Sequence, residues 1–215
     1  MKLFLDSADT DAIISRYDTG LISGITTNPT LIKKNGGNFL DVYKKLIDVG
    51  IHDISMEVVG ENEAELFERA IILVKEFADK ATIKLPCSVD GLRACKRLKM
   101  LGVRVNITLI FSPAQAILAS LAGAAYISPF IGRMDDNSLD GMKLINDISN
   151  SLDVSTRAIN ETQILAASIR DPQSVSTAFA LGADICTVPI DVFDKMYKHV
   201  LTDKGIEQFN KDAGL

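Results

Sequence analysis

The chain has 215 residues, 47% of them hydrophobic, and a formal net charge of −5. That is enough apolar material for one sizeable core. An acidic balance without a basic stripe argues against nucleic acid as a partner, so an anionic substrate would have to be met by a local cluster of arginines.

The start, MKLFLDSADTD, reaches an acidic residue too early for the apolar core of a signal peptide. Three cysteines, Cys87, Cys95 and Cys186, contain no CxxC pair and fit reduced thiols, so a cytoplasmic location is expected. From there, β-rich runs alternate with helical patterns along the whole chain. The runs are 2–6, 24–27, 54–59, 81–85, 103–109, 125–128, 163–167 and 184–188. Between them apolar residues recur at three- and four-residue spacing. In ENEAELFERAIILVKEFADK, for example, Leu66, Ala70, Leu73, Val74 and Phe77 share one face. Helix starts are marked by Ser7 or Asp9, by Asn62, Ser88 and Ser112, and by Asp171 followed by Pro172. The uncharged stretch between Arg104 and Arg133 is long enough for a membrane span, but Pro113, Gln115, Ser120 and Pro129 interrupt it. It parses as strand, helix, strand, and no membrane partner is expected.

Eight strand–helix units predict an α/β protein, a parallel (β/α)8 TIM barrel in preference to a doubly wound open sheet. The length lies near the small end of the ~200 to 400 residues usual for that barrel. One domain is expected over residues 1–215. In it GRMDDNSLDG forms a loop in the longest interval between strands, and the eighth helix falls near 191–201. A tail, 202–215, is expected as an extra helix lying across the barrel or on a neighbouring subunit.

In such barrels chemistry gathers at the carboxyl ends of the strands. The strands here end in Asp6; in Thr26, Thr27 and Asn28; in Glu57; in Lys84; in Asn106 and Thr108; in Ser128; and in Ser168 and Arg170. Lys84, in ATIKLP, is the odd residue of an otherwise apolar strand. Lysine is rarely buried, and an unpaired interior ammonium is costly enough to favour the neutral amine. A lone strand lysine commonly faces water, but strand after strand ending in a reactive group argues for an inward Lys84. A neutral lysine adds to a ketone and loses water, giving an iminium ion that serves as an electron sink for cleaving the adjacent C–C bond. Asp6 or Glu57 could move the protons, and Arg133 and Arg170 could hold a phosphate in a guanidinium fork.

Other chemistries have less support. Cys87 has no base nearby, because neither His52 nor His199 falls at a strand's carboxyl end. The same residues lack metal-ligand spacing, so no metal is expected. GxGxxG is absent, which leaves a nicotinamide cofactor without a site. GITTNP on its own reads equally well as a turn ending a strand.

Taken together, FLDSAD, GITTNPTL, IKLPCS, NITLIFS, SPFIGR and LAASIR, in this order over essentially the whole chain, resemble the transaldolase family, in particular its short single-barrel members, which include fructose-6-phosphate aldolases. The resemblance implies a Schiff-base lysine at Lys84, proton transfer by Asp6, and a catalytic water held by Glu57 and Thr108. It implies substrate contacts from Thr26, Asn28, Asn106, Ser128 and Phe130, phosphate binding by Arg133 with Ser168 and Arg170, and no cofactor. The implied reaction moves a dihydroxyacetone unit from sedoheptulose 7-phosphate to glyceraldehyde 3-phosphate, giving erythrose 4-phosphate and fructose 6-phosphate in the pentose phosphate pathway. Short members of the family are similar to one another in forming pentamers or decamers, so a homo-oligomer is expected.

Glu57 and Phe130 match the transaldolase branch; the aldolase branch resembles this chain except for glutamine and tyrosine at those places. Cys87 is expected to be a neutral variant. A fructose-6-phosphate aldolase is the competing activity, and a catalytically silent sugar-phosphate-binding barrel the competing class.

Overall fold

The computed structural model describes residues 1–152 and 162–214. Its strands are β1 (Lys2–Asp6), β2 (Ile22–Thr26), β3 (Ile54–Glu57), β4 (Ala81–Pro86), β5 (Val105–Ile110), β6 (Tyr126–Pro129), β7 (Gln163–Ala166) and β8 (Ile185–Val188). They pair in sequence order, all parallel, and β8 closes onto β1 to complete a (β/α)8 barrel. The helices are α1 (Thr10–Tyr17), α2 (Pro29–Lys34), α3 (Phe39–Asp48), α4 (Glu63–Phe77), α5 (Val89–Met100), α6 (Pro113–Leu121), α7 (Ile131–Asp136), α8 (Gly141–Ser151), α9 (Pro172–Ala180), α10 (Ile190–Lys195) and α11 (Val200–Asp212).

Alternation along the strands sorts their side chains. On β4, Ala81, Ile83 and Leu85 join the main core between strands and helices, which leaves Thr82 and Lys84 for the inner face. A smaller apolar cluster of Phe4, Tyr126, Leu165, Ala167 and Ile185 fills the barrel itself. Gly24 makes room for it, since a Cβ there would come within 2.6 Å of the Phe4 ring. Asp53 seals the amino-terminal end, accepting hydrogen bonds from Thr82 (2.8 Å), Arg104 (3.0 Å) and Tyr126 (2.5 Å). One side of the interior is therefore apolar, and a polar network closes it below.

Side-chain caps fix where the helices begin. Asn62, Ser88, Ser112 and Asp171 cap α4, α5, α6 and α9. Asp9 caps α1, and Ser7 instead accepts from the Asp9 backbone N–H. On α4 the buried residues are Leu66, Ala70, Leu73 and Phe77, with Val74 at the margin of the stripe. The uncharged stretch is β5, α6 and β6. Among the described residues no helix is long and apolar enough to cross a membrane.

Two expectations are corrected. GRMDDNSLDG is not wholly a loop: α7 runs through Asp136, because Ile131 and Gly132 donate their N–H groups to the Ala167 and Ser168 carbonyls (both 3.0 Å) and so anchor a helical turn. The stretch 191–201 is not one helix. It divides into α10 and the start of α11, which His199 caps by accepting from the Leu201 N–H. Helix α11 buries none of its residues, and Phe209 is 73% exposed. Among the described residues it therefore buries no apolar side chain of its own against the rest of the chain. Leu215 lies outside the described residues.

Candidate active site

Parallel register brings the reactive groups together. Glu57 and Asn106 flank Lys84 on the neighbouring strands, and Thr26 stands beside Asp6. Lys84 is only 5% exposed. Its Nζ lies 2.9 Å from a Glu57 carboxylate oxygen and donates to the Thr27 carbonyl at 3.0 Å. The lysine anticipated as inward and costly is thus inward and paired, which offsets its desolvation.

Asp6 ends β1 with its carboxyl accepting from Thr26 Oγ1 at 2.7 Å. Burial pushes this carboxyl above its ordinary value of 3.8. The Lys84 charge and the Thr26 hydrogen bond pull the other way, and Glu57 adds to the rise. An enclosed carboxyl with an elevated pKa close to a lysine suits proton transfer more than structural pairing.

One cavity is lined by Asp6, Thr26, Asn28, Lys84, Ser128, Phe130, Arg133 and Ser168, together with Leu165, Ala167 and Thr187. The Asn28 side-chain oxygen caps α2 by accepting from Leu31 N–H (2.9 Å), and Pro29 at the first helical position holds that turn. Ser128 donates to Asn106 (2.7 Å), whose amide donates to Ser55 (3.1 Å). Asn106 therefore supports the cavity from below. Thr108 is buried, and its hydroxyl is the side-chain polar atom among the buried described residues without a hydrogen-bond partner.

The arginine side of the cavity is built by close backbone approach. Gly132 N–H bonds the Ser168 carbonyl, and a Cβ on Gly132 would come within 2.4 Å of that oxygen and 2.7 Å of Arg170 Nε. Ser168 itself is in the left-handed region at φ 59°. Phe130 packs on Phe111 with ring centroids 5.9 Å apart, and the Arg133 guanidinium stands 4.8 Å from the Phe130 centroid. That contact holds the arginine over the ring face. Arg170 does not line the cavity. It forms a two-pronged ion pair with Asp136, which lowers the pKa of that carboxyl.

Of the residues named from sequence, eight therefore line one cavity. Glu57, Asn106 and Thr108 lie on the same strands as its lining or on adjoining ones, and Arg170 is turned outward. Cys87 is partly exposed with its thiol pKa raised by burial, and Cys95 and Cys186 are buried with theirs pushed up to about 12. None of the three has the environment of an activated nucleophile. Among the described residues no group of His, Cys, Asp and Glu side chains is placed to hold a metal ion.

No residue of the eighth strand is among the sites expected from sequence, yet Thr187 lines the cavity and is 2.7 Å from Thr26 Oγ1. The available signal was the lone hydroxyl in ICTVP, placed before the proline as Lys84 is placed before Pro86.

Comparison with known proteins agrees with this picture. The family profile Transaldolase/Fructose-6-phosphate aldolase matches residues 3–214. A probable transaldolase of Paracoccus denitrificans is 49% identical over 212 residues, covering 99% of this chain and 96% of the relative. Probable transaldolases of Coprothermobacter proteolyticus (43% identical, 99% and 96% covered) and Nitrosopumilus maritimus (44%, 99% and 94%) match over the same length. By this end-to-end likeness, on a barrel with a buried lysine at its polar rim, the chain belongs to the transaldolase/fructose-6-phosphate aldolase family.

Proposed function

We propose that this protein is a transaldolase working through a Schiff base on Lys84. The carrying observation is the Lys84 Nζ, nearly closed off from water and 2.9 Å from Glu57, in the cavity that Asp6 also lines. Glu57 takes the ammonium proton, and the free amine adds to the C2 carbonyl of the ketose phosphate. Loss of water then gives the iminium ion. Asp6 removes the C4 hydroxyl proton, the C3–C4 bond breaks, and its electron pair passes into the iminium to leave an enamine while an aldehyde departs. The enamine attacks the acceptor aldehyde, Asp6 returns its proton to the new oxygen, and hydrolysis frees Lys84.

The orphaned Thr108 hydroxyl, on the strand paired with the Lys84 strand on the side away from Glu57, suits a hydrogen bond to the water that leaves and returns. Thr26, Asn28, Asn106 and Ser128 meet the sugar hydroxyls, and Phe130 forms the apolar wall. Arg133 with Ser168 binds the phosphate; Arg170 joins only by giving up Asp136. Donor and acceptor are sedoheptulose 7-phosphate and glyceraldehyde 3-phosphate, the exchange used by the pentose phosphate pathway. The ring of Phe130 has no hydroxyl with which to protonate the enamine, which supports transfer over simple cleavage. No metal or organic cofactor takes part.

Three unpaired cysteines support work in the reducing cytoplasm. The exposed Val200, Leu201, Ile206 and Phe209 of α11 support assembly into a ring-shaped homo-oligomer.

The test is release of glyceraldehyde 3-phosphate from fructose 6-phosphate with and without erythrose 4-phosphate, in wild type and Lys84→Ala. Release that needs the acceptor and Lys84 is expected. Equal release without acceptor would make the protein an aldolase. Failure of borohydride to fix a ketose phosphate onto Lys84 would make it a silent binder.

A further inference from the structure

Beyond the residues assigned above, β8 contributes a hydroxyl that the reaction scheme has not used. Thr187 is 2% exposed and lines the cavity. Its hydrogen-bond partner among the described residues is Thr26, with the two Oγ1 atoms 2.7 Å apart. Thr26 is in turn 2.7 Å from Asp6 Oδ1. Strands β2 and β8 are the two neighbours of β1, so the threonines meet on the inner side of β1, one from each flank.

The proton count on these three groups fixes their order. An ionised Asp6 carboxylate can only accept, so Thr26 gives it the one proton a threonine hydroxyl has. Towards Thr187, Thr26 can then only accept, and Thr187 must aim its own proton at Thr26. Without Thr187, Thr26 Oγ1 would lose the hydroxyl that stands 2.7 Å from it. The Thr26 hydroxyl would be free to rotate away from Asp6.

We propose that Thr187 is a positioning residue for Asp6, locking the Thr26 hydroxyl so that it donates to the carboxylate that takes and returns the substrate proton. This rests on the reading of Asp6 as the proton-transfer group. A donor that is itself hydrogen-bonded binds a charge more strongly, so the chain Thr187, Thr26, Asp6 favours the ionised, base-competent form. It opposes the burial that raises the Asp6 pKa. The charged groups facing Asp6 from elsewhere are Lys84 on β4, Glu57 on β3 and Arg133 on α7 in the same cavity. None of them contacts Thr187 among the hydrogen bonds and ion pairs of the described residues.

The experiment is the pH profile of kcat/KM for transfer from fructose 6-phosphate to erythrose 4-phosphate, in wild type, Thr187→Val, Thr187→Ser and Asp6→Asn. Thr187→Val keeps the shape and removes the donor. It is expected to lower kcat about tenfold at neutral pH, which corresponds to about 1.4 kcal/mol. The acidic limb should move to higher pH, with activity recovering towards wild type above that limb. Thr187→Ser should restore both the rate and the limb.

A drop in rate that is the same at every pH, or a limb left in place, would overturn the proposal and leave Thr187 as packing. A rise in KM alone would also overturn it, making Thr187 a substrate contact. Asp6→Asn separates the two levels of inference. If it retains full activity, the assignment of Asp6 is wrong; if it is inactive while Thr187→Val is unaffected, only the role of Thr187 falls.

Discussion

The Lys84–Glu57 pair offers a measurable consequence of burying the nucleophile. Glu57→Gln removes the negative partner of an ammonium that is 5% exposed and whose other acceptor is one carbonyl at 3.0 Å. Breaking a buried ion pair from one side typically costs 3–5 kcal/mol. Glu57 retains some access to water and glutamine can still accept one hydrogen bond, so a cost of about 2–3 kcal/mol is expected. For a chain of this length that corresponds to a melting temperature lower by roughly 5–10 °C. Lys84→Met removes the charge that Glu57 balances, and the double variant should be less destabilised than Glu57→Gln alone. The coupling energy should reach about 2 kcal/mol. Thermal unfolding followed by circular dichroism at pH 7 on all four proteins completes the cycle. A melting temperature for Glu57→Gln within a degree of wild type, or strictly additive effects, would show that the pair is solvated and that the burial argument fails.

The remaining predictions concern Asp6, Gly132, the thiols and Phe130. A carboxyl whose pKa is raised on folding favours the folded state only while protonated; that contribution is complete below pH 3.8 and is lost as pH rises through the folded value. Asp6→Asn should therefore gain melting temperature relative to wild type as pH goes from 4 to 8, and a pH-independent difference would contradict it. Gly132→Ala places a methyl 2.4 Å from the Ser168 carbonyl; kinetics should show KM for phosphorylated substrates about tenfold higher at a stability cost of about 1–3 kcal/mol, and unchanged kinetics would remove this contact from the site. Cys95 and Cys186, with thiols pushed up to about 12, should resist iodoacetamide at pH 8 until the chain unfolds, as read by mass spectrometry of the intact protein. Phe130→Tyr should raise cleavage of fructose 6-phosphate relative to transfer, and an unchanged ratio would show that the missing hydroxyl does not direct the intermediate.

How much of the site was legible in the sequence depended on which residues the strand period could reach. In ATIKLP the alternation fixes Lys84 on the face opposite Ala81, Ile83 and Leu85, and closure of eight such strands turns that face inward whatever the loops do. The same alternation sets Asp6, Thr26, Asn106 and Ser128 on the face opposite Leu5, Ile25, Ile107 and Ile127 of the main core. It does not reach Arg170, which lies beyond its strand end, where direction is set by the nearest counter-charge, here Asp136 from α7. It also passed over Thr187, since a single threonine in ICTV looks like ordinary β-branched filling until its distance to Thr26 is known.

Local pattern thus determined the elements, their order and the inward set of polar residues, because helix and strand periods and cap chemistry are short-range properties. Tertiary structure alone decided the partners. Lys84 finds Glu57 through the register of β3 and β4, Gly132 at the start of α7 is pressed against Ser168 beyond the end of β7, and α11 is left with Phe209 in the open. Such pairings depend on distances of a few ångströms between segments far apart in the chain, and no periodicity encodes those distances.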